Sequence, residues 1–370
     1  MNPEIEVYIR RLLSESTPDR PLWNVELLTE GKKAHWNYID GCMITALLEL
    51  GRLENDSEYF DFAERFIDYY IDENGDIRGY DASSFNLDDI NEGRVLFELY
   101  EKTGKEKYRR AIEKLNAQLA SQPRTYEGSF WHKQIYPNQV WLDGLYMAQV
   151  FRTLYALRLG DGDLSDVLKQ FACVREHMYC RRKGLYFHAY DASKTAFWAD
   201  PRSGCSKNFW LRAIGWYSVA LIDIIELSGN EQLTAIFREL MEGIARYADE
   251  ASGMYWQVVD KGGRKGNYLE TSGSSMIAYS MLKGARLGIL DKKYADKGLK
   301  TFDGIRKNYL SASDGTLNLG GICLMAGVGP DSKPWRDGSY EYYISEPIVE
   351  NDAKGVAPFL LCYTEVRRLG

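Results

Sequence analysis

The chain has 370 residues, a formal net charge of -7, and 45% hydrophobic and 27% charged residues. These values describe a globular protein of one large or two medium domains with room for an extensive core. The acidic balance argues against nucleic acid or a membrane surface as partner, and no apolar run is long enough to span a bilayer.

The first residues, MNPEIEVYIRRLL, hold acids early and no apolar core followed by a cleavage site. They predict an amphipathic helix instead of a signal peptide, and so a cytoplasmic location. From there apolar positions recur at helical spacing almost throughout, as at Met147, Val150, Phe151 and Leu154, or Ile214, Tyr217 and Leu221. Gly-containing, weakly charged helices start near Asp40-Gly41, Glu92-Gly93, Asp143-Gly144, Arg212 to Gly215, Thr271 to Gly273 and Asp352 to Gly355. Between them lie charged amphipathic stretches such as EYFDFAERFIDYYI (58–71), KYRRAIEKLNAQLA (107–120) and EQLTAIFRELMEGIARYA (231–248), each with one wet face. Strand-like alternation is confined to GLYFHAY (184–190) and GMYWQVV (253–259), and DKGGRKGN (260–267) lacks the ending of a phosphate loop and reads as a turn.

A recurrence of about fifty residues or more fits helical hairpins used as repeats. Six hairpins with the less charged helices inside close into a ring, an all-α (α/α)6 barrel; the competing architecture is an open α-solenoid. No Pro/Gly/Ser-rich linker interrupts the chain, so residues 1–370 read as a single domain.

Four strings open helices in an unusual way: YPNQVWLDGLYM (136–147), CSKNFWLRAIGWY (205–217), YLETSGSSM (268–276) and NDAKGVAPF (351–359). Each combines a charged residue, a following Gly and a nearby aromatic, although Gly is costly inside a helix. The arrangement suits helix N-termini lining a shared, aromatic-walled pocket. Abundant aromatics (26 Tyr and 9 Trp) serve equally as sugar platforms or as core filling.

In such a ring the helix starts bring Asp88 or Asp89, Asp143, Arg212, Glu270 and Asp352 to one mouth. Two carboxylates beside one cavity are the minimum for acid/base chemistry on a sugar, one protonated and one ionised. Asp143, between Trp141 and Tyr146, is the candidate for a raised pKa; the alternative is that it only satisfies backbone N–H groups at a helix start. The cationic candidates are His132, Lys133, His188 and Arg212, an isolated His being more often structural than catalytic. A buried Arg212 requires an acidic partner: Asp143, Asp88 or an acidic substrate. Glu270 and Asp352 fit helix capping or pairing with Arg. The six Cys show no CxxC spacing and read as reduced thiols, and the four His occupy no metal-ligand spacing. Neither a metal nor another cofactor is expected, and the sequence sets no oligomeric state.

WLDGLYM with GSFWHK (128–133) before it, FWLRAIGWY, YLETSGSSM and NDAKGVAPF resemble the unsaturated rhamnogalacturonyl hydrolases of glycoside hydrolase family 105 and, more distantly, the unsaturated glucuronyl hydrolases of family 88. The resemblance runs from about Trp36 to Glu365. It implies an (α/α)6 barrel and a metal-independent hydrolase of pectin-lyase products, small oligosaccharides with a 4,5-unsaturated galacturonic acid typically linked to rhamnose. It places the hydrating Asp at Asp143 and the second Asp in LDDINEG (87–93), where the Leu-Asp pair selects Asp88. His188, Trp210, Arg212 and Trp216 match the sugar pocket, which Trp36, Tyr38, His132, Lys133 and Trp141 complete. The flanks of HWNYIDGCM (35–43) and the stretch from Val328 to Ser345 have no matching family pattern, and both regions are expected beside the leaving sugar.

Competing functions are an unsaturated glucuronyl hydrolase, which for sulfated substrates needs extra Lys or Arg near the leaving sugar; an inverting glucanase or sugar epimerase on the same ring; and a non-catalytic scaffold that needs no Asp pair.

Overall fold

The computed structural model describes residues 3–31, 33–313 and 316–369. They form a helical ring. Helix α1 (Pro3–Glu15) and the short α2 (Val25–Glu30) precede α3 (Tyr38–Glu54), α4 (Ser57–Asp68), α5 (Asp88–Asn91), α6 (Arg94–Thr103) and α7 (Glu106–Ser121). The chain continues through α8 (Gly144–Arg158), α9 (Ser165–Met178), α10 (Leu211–Ser228), α11 (Glu231–Ile244), α12 (Thr271–Arg286), α13 (Lys293–Tyr309), α14 (Tyr340–Ser345) and α15 (Ala353–Leu369).

The inner wall runs α3, then α5 with α6, α8, α10, α12 and α15, and α15 packs back on α3. The contact between α15 and α3 excludes an open solenoid: this is an (α/α)6 barrel. Helices α4, α7, α9, α11 and α13 form the outer layer. Helix α1 lies over the seam between α15 and α3, with Tyr8 donating to Asn351 Oδ1 at 2.8 Å and Arg10 pairing with Asp56 at 3.0 Å.

An inner helix is flanked by two inner neighbours, backed by an outer helix and faces the ring centre, so it has no wet face. Every residue of α10 from Leu211 to Ile225 is buried accordingly, as is every residue of α12 from Thr271 to Gly284. The outer helix α4 buries only Tyr59, Phe62, Ala63, Phe66 and Ile67. It also stops earlier than the 58–71 pattern predicts: Tyr69 and Tyr70 lie past its end, and Ile71 pairs across a turn with Ile77.

Glycine lets the inner helices approach closely. A Cβ on Gly41 of α3 would stand 2.5 Å from Glu92 Cα, a backbone atom that cannot swing away. A Cβ on Gly215 of α10 would meet Met276 Sδ at 2.7 Å. The Gly41→Ala variant is therefore expected to lose about 1–3 kcal/mol, the usual range for overpacking a filled core. Thermal unfolding checks this; an unchanged midpoint would mean that α3 can part from α5 without cost. The acids beside these glycines are fasteners: Asp40 Oδ1 accepts from Trp23 Nε1 at 2.8 Å, and Glu92 Oε2 accepts from the Asn37 N–H at 2.8 Å.

Short strands tie the loops together above the N-termini of the inner helices. Strand β1 (Gln139–Trp141) is followed by β2 (Tyr179–Cys180) and β3 (Leu185–Tyr186), which form a hairpin, and by β4 (Ala189–Asp191), which pairs antiparallel with β1 through Val140↔Tyr190. Strands β5 (Leu310–Ser313) and β6 (Thr316–Leu319) pair with each other, and β7 (Ile322–Cys323) pairs with β8 (Ile348–Val349). The alternating 253–259 segment makes only single bridges, Trp210↔Val258 and Trp256↔Leu269, because its residues reach to two different partners. Among the described residues no helix is long and apolar enough to cross a membrane.

Candidate active site

The N-terminal ends of the inner helices converge on a cavity of about 120 Å³. Tyr38 comes from the first residue of α3, Asp88 from the first of α5, Asp143 from just before α8, and Trp210 and Arg212 from the start of α10. Backbone bonds set the segments against one another. Leu87 N–H donates to His132 C=O at 3.1 Å, and Leu142 N–H donates to His188 C=O at 2.9 Å. Gln122 Nε2 donates to both Phe85 C=O and Trp131 C=O, at 2.8 and 2.9 Å, clamping the Asp88 turn to the His132 segment.

Asp143 is 8% exposed, and its carboxyl caps no N–H of α8. Its Oδ1 is buried without a hydrogen-bond partner, 3.9 Å from His188 Nε2, which is equally unpartnered. Burial, reinforced by the charge of Asp88, pushes its pKa up to about 7. The capping alternative therefore fails, and the raised pKa expected from an apolar setting holds. Tyr146, expected to contribute to that setting, turns away and stacks on Trp216 with ring centroids 4.4 Å apart.

Asp88 is in the opposite state. Burial alone would raise its pKa, but Lys133 Nζ at 2.6 Å from Oδ2 and His132 Nε2 at 3.4 Å from Oδ1 outweigh it and hold the carboxyl below the usual range. Asp89 does not line the cavity; its carbonyl accepts a hydrogen bond from Trp36 Nε1 at 2.6 Å. One carboxyl of the lining thus keeps its proton up to about pH 7 while the other is ionised.

The two histidines beside the aspartates, His132 in the lining and His188 behind it, are neutral near pH 7. His132 lies flat on Trp141 (4.5 Å between centroids, 9° between planes), and burial lowers its pKa to about 4. His188 stands behind Asp143, and burial lowers its pKa to about 3. Tyr343 of α14 meets His188 Nδ1 at 2.7 Å. When that hydroxyl donates, the imidazole carries its proton on Nε2, facing Asp143.

Arg212 is 2% exposed. Its guanidinium donates to Cys323 C=O, to Ser272 Oγ at 3.4 Å and to Leu324 C=O at 3.5 Å, and lies 4.7 Å over the Trp210 ring. It forms no ion pair among the described residues, so the expected pairing with Asp143 or Asp88 is not made. Glu270 caps α12 through Ser272 N–H (3.0 Å) and Gly273 N–H (2.7 Å) and binds Ser272 Oγ, the hydroxyl that Arg212 reaches. Asp352 pairs with Lys354 at 3.2 Å at the start of α15.

Among the anticipated pocket residues, Tyr38, His132, Lys133, Trp141, Trp210, Arg212 and Trp216 line the cavity with both aspartates. Trp36 does not: fully buried and edge-on to Tyr70 (6.2 Å), it supports the turn carrying Asp88 from beneath. His188 lies one layer back. Tyr136, Met147, Met325, Ala326, Gly327 and Arg336 complete the lining; none was singled out as a site residue, although Tyr136 and Met147 bound the 136–147 string and Arg336 falls in the 328–345 stretch expected beside the leaving sugar. Met325, Ala326, Gly327 and Arg336 come from irregular chain between β7 and α14, where no periodicity betrays a role. Among the described residues, no group of three or more His, Cys, Asp or Glu is placed to hold a metal ion.

A closed six-hairpin helical ring with a neutral carboxyl, an ionised carboxyl and Trp faces at its mouth has the equipment of a glycoside hydrolase. The family model of Glycosyl Hydrolase Family 88 matches residues 20–370, and the chain belongs to that family. It is 38% identical to a glycoside hydrolase from family 105 of C. acetobutylicum ATCC 824, with a TM-score of 0.88 over 98% of this chain and 99% of the other. An unsaturated glucuronyl hydrolase from Bacillus sp. GL1, responsible for the degradation of glycosaminoglycan, shares the fold at 14% identity and TM-score 0.65, covering 90% of this chain and 86% of that one. A 24.9 kDa protein in the picA locus of Rhizobium radiobacter is 37% identical over 229 residues, 59% of this chain and 97% of its own length.

Proposed function

We propose that residues 1–370 act as one catalytic domain that hydrates the C4=C5 double bond of an unsaturated galacturonic acid at the non-reducing end of a pectin-derived oligosaccharide, releasing it from rhamnose. The observation that carries this reading is Asp143: a buried carboxyl, free of hydrogen bonds at Oδ1, kept protonated near neutrality beside an ionised Asp88.

The unsaturated ring is a vinyl ether. Asp143 donates its proton to C4, leaving an oxocarbenium-like cation at C5. The Asp143 carboxylate then takes a proton from water as the oxygen attacks C5, which restores the acid. The resulting hemiketal opens and expels the neighbouring sugar. Asp88, anchored by Lys133, stays anionic and keeps the Asp143 proton in place between turnovers. Arg212, a buried cation without a carboxylate partner among the described residues, supplies the charge for the uronate carboxylate.

A lyase-made unsaturated galacturonyl-rhamnose disaccharide tests the reading. The ultraviolet absorbance of its conjugated double bond should disappear as free rhamnose accumulates. Persistent absorbance overturns it. The glucuronyl alternative gains weight from Arg336, a cavity cation the sequence did not reveal; turnover confined to a glycosaminoglycan-derived unsaturated disaccharide would decide for it.

A further inference from the structure

The cavity holds three cationic side chains, and two already have their hydrogen bonds engaged. Lys133 is bound by Asp88, and Arg212 donates to two carbonyls and a serine hydroxyl. Arg336 is different. Its Nη2 rests on Met325 Sδ at 2.9 Å, a weak acceptor, and its Nε is buried without a hydrogen-bond partner. Its nearest carboxylate, Glu346 Oε1, lies 3.8 Å from Nε, beyond hydrogen-bond reach. Among the described residues this guanidinium, which lines the cavity, has no oxygen hydrogen-bond acceptor, so its Nη groups are open to acceptors brought by a ligand.

Its place in the cavity says which part of the ligand that is. Asp143 and Arg212 are buried at the inner-helix ends, whereas the Arg336 side chain is 17% exposed and follows directly on an exposed segment, 331–335. The terminal unsaturated sugar must lie against Asp143, and Arg336 and Lys133 are the more exposed cations of the lining; Lys133 is bound by Asp88, which leaves Arg336 to meet the remainder of the substrate. The loop is firmly held. Gly327 N–H donates to Tyr342 Oη at 2.9 Å, Asn208 Nδ2 to Gly338 C=O at 2.7 Å, and Gly329 N–H to Arg336 C=O at 2.9 Å. We propose that Arg336 is a specificity-determining residue that binds ring or hydroxyl oxygens of the leaving sugar. This rests on the hydration reading given above.

The experiment compares kcat/KM for two substrates sharing the unsaturated uronate: the rhamnose-linked disaccharide and the methyl glycoside, which lacks a leaving sugar. Arg336→Lys keeps a cation beside the buried Glu346 but loses the fork, and Arg336→Met removes both. In each variant the preference for the disaccharide over the methyl glycoside should fall about tenfold, the effect of losing a hydrogen bond from a charged group, with the loss in KM more than in kcat. An unchanged preference in both variants, or a parallel loss on both substrates, overturns the assignment. A wild-type protein inert towards both substrates would instead overturn the hydration reading itself.

Discussion

Asp143→Asn should abolish turnover of the unsaturated disaccharide while leaving the fold intact. The amide has no proton to give to C4, and loss of general acid/base assistance costs on the order of 10²–10⁴-fold in rate. Stability provides an independent check. The folded-state pKa of Asp143 is raised to about 7, against about 3.9 in an unfolded chain. Its contribution is therefore fully present below the unfolded value and is lost as pH rises through the folded one. At pH 8 the wild-type protein carries a buried carboxylate, unpartnered at Oδ1, that the variant lacks. Thermal midpoints of the variant should equal or exceed wild type there, with the advantage shrinking towards acidic pH. Near-normal turnover would sink the assignment of Asp143 as the acid.

The second large effect concerns Asp88 and appears in the pH profile. In the wild-type protein kcat/KM should decline as pH rises through about 7, because Asp143 must be protonated to act. Asp88→Asn removes the like charge that reinforces this pKa and frees Lys133, whose charge lowers it. Activity should fall about 10²-fold or more, and the alkaline limb of the residual profile should move to lower pH. A reduced rate with the limb unmoved would show that the two carboxyls do not communicate, and that Asp88 acts on the substrate alone.

The parts of the site that follow from helix periodicity were legible before any coordinates. Gly41, Gly93, Gly144, Gly215, Gly273 and Gly355 stood out because glycine inside an otherwise good helix requires a reason: Gly41, Gly93, Gly215 and Gly273 are pressed by neighbouring helices, Gly144 by His132 and Gly355 by Ile322 of β7. The Asp143 environment was foreseeable for a similar cause: a carboxyl following Trp141 at the start of an apolar helix has little water to meet. Two inferences misled. A buried arginine suggested Asp143, Asp88 or an acidic substrate as partner; neither aspartate pairs with Arg212, which is met by Cys323 and Leu324 carbonyls from a loop more than a hundred residues away. Trp36 suggested a sugar platform, yet its indole is spent on the Asp89 carbonyl. The 328–345 stretch was expected beside the leaving sugar, but Arg336 and Tyr343 within it, and Met325 before it, were not picked out because the β7–β8 pairing, a long-range contact, brings their segment to the mouth.

Closure of α15 on α3 also bears on how the molecule comes to be active. The Tyr8–Asn351 hydrogen bond joins positions 343 residues apart, and contacts of such separation form late and slowly. The proton donor and its ionised neighbour come from neighbouring α8 and α5, whereas Arg336 and the carbonyls that hold Arg212 come from the 322–338 segment late in the chain, so the complete site needs both parts of the circle. Refolding from denaturant should regain helical ellipticity in an early phase and catalysis only in a later one, when the last gap is sealed.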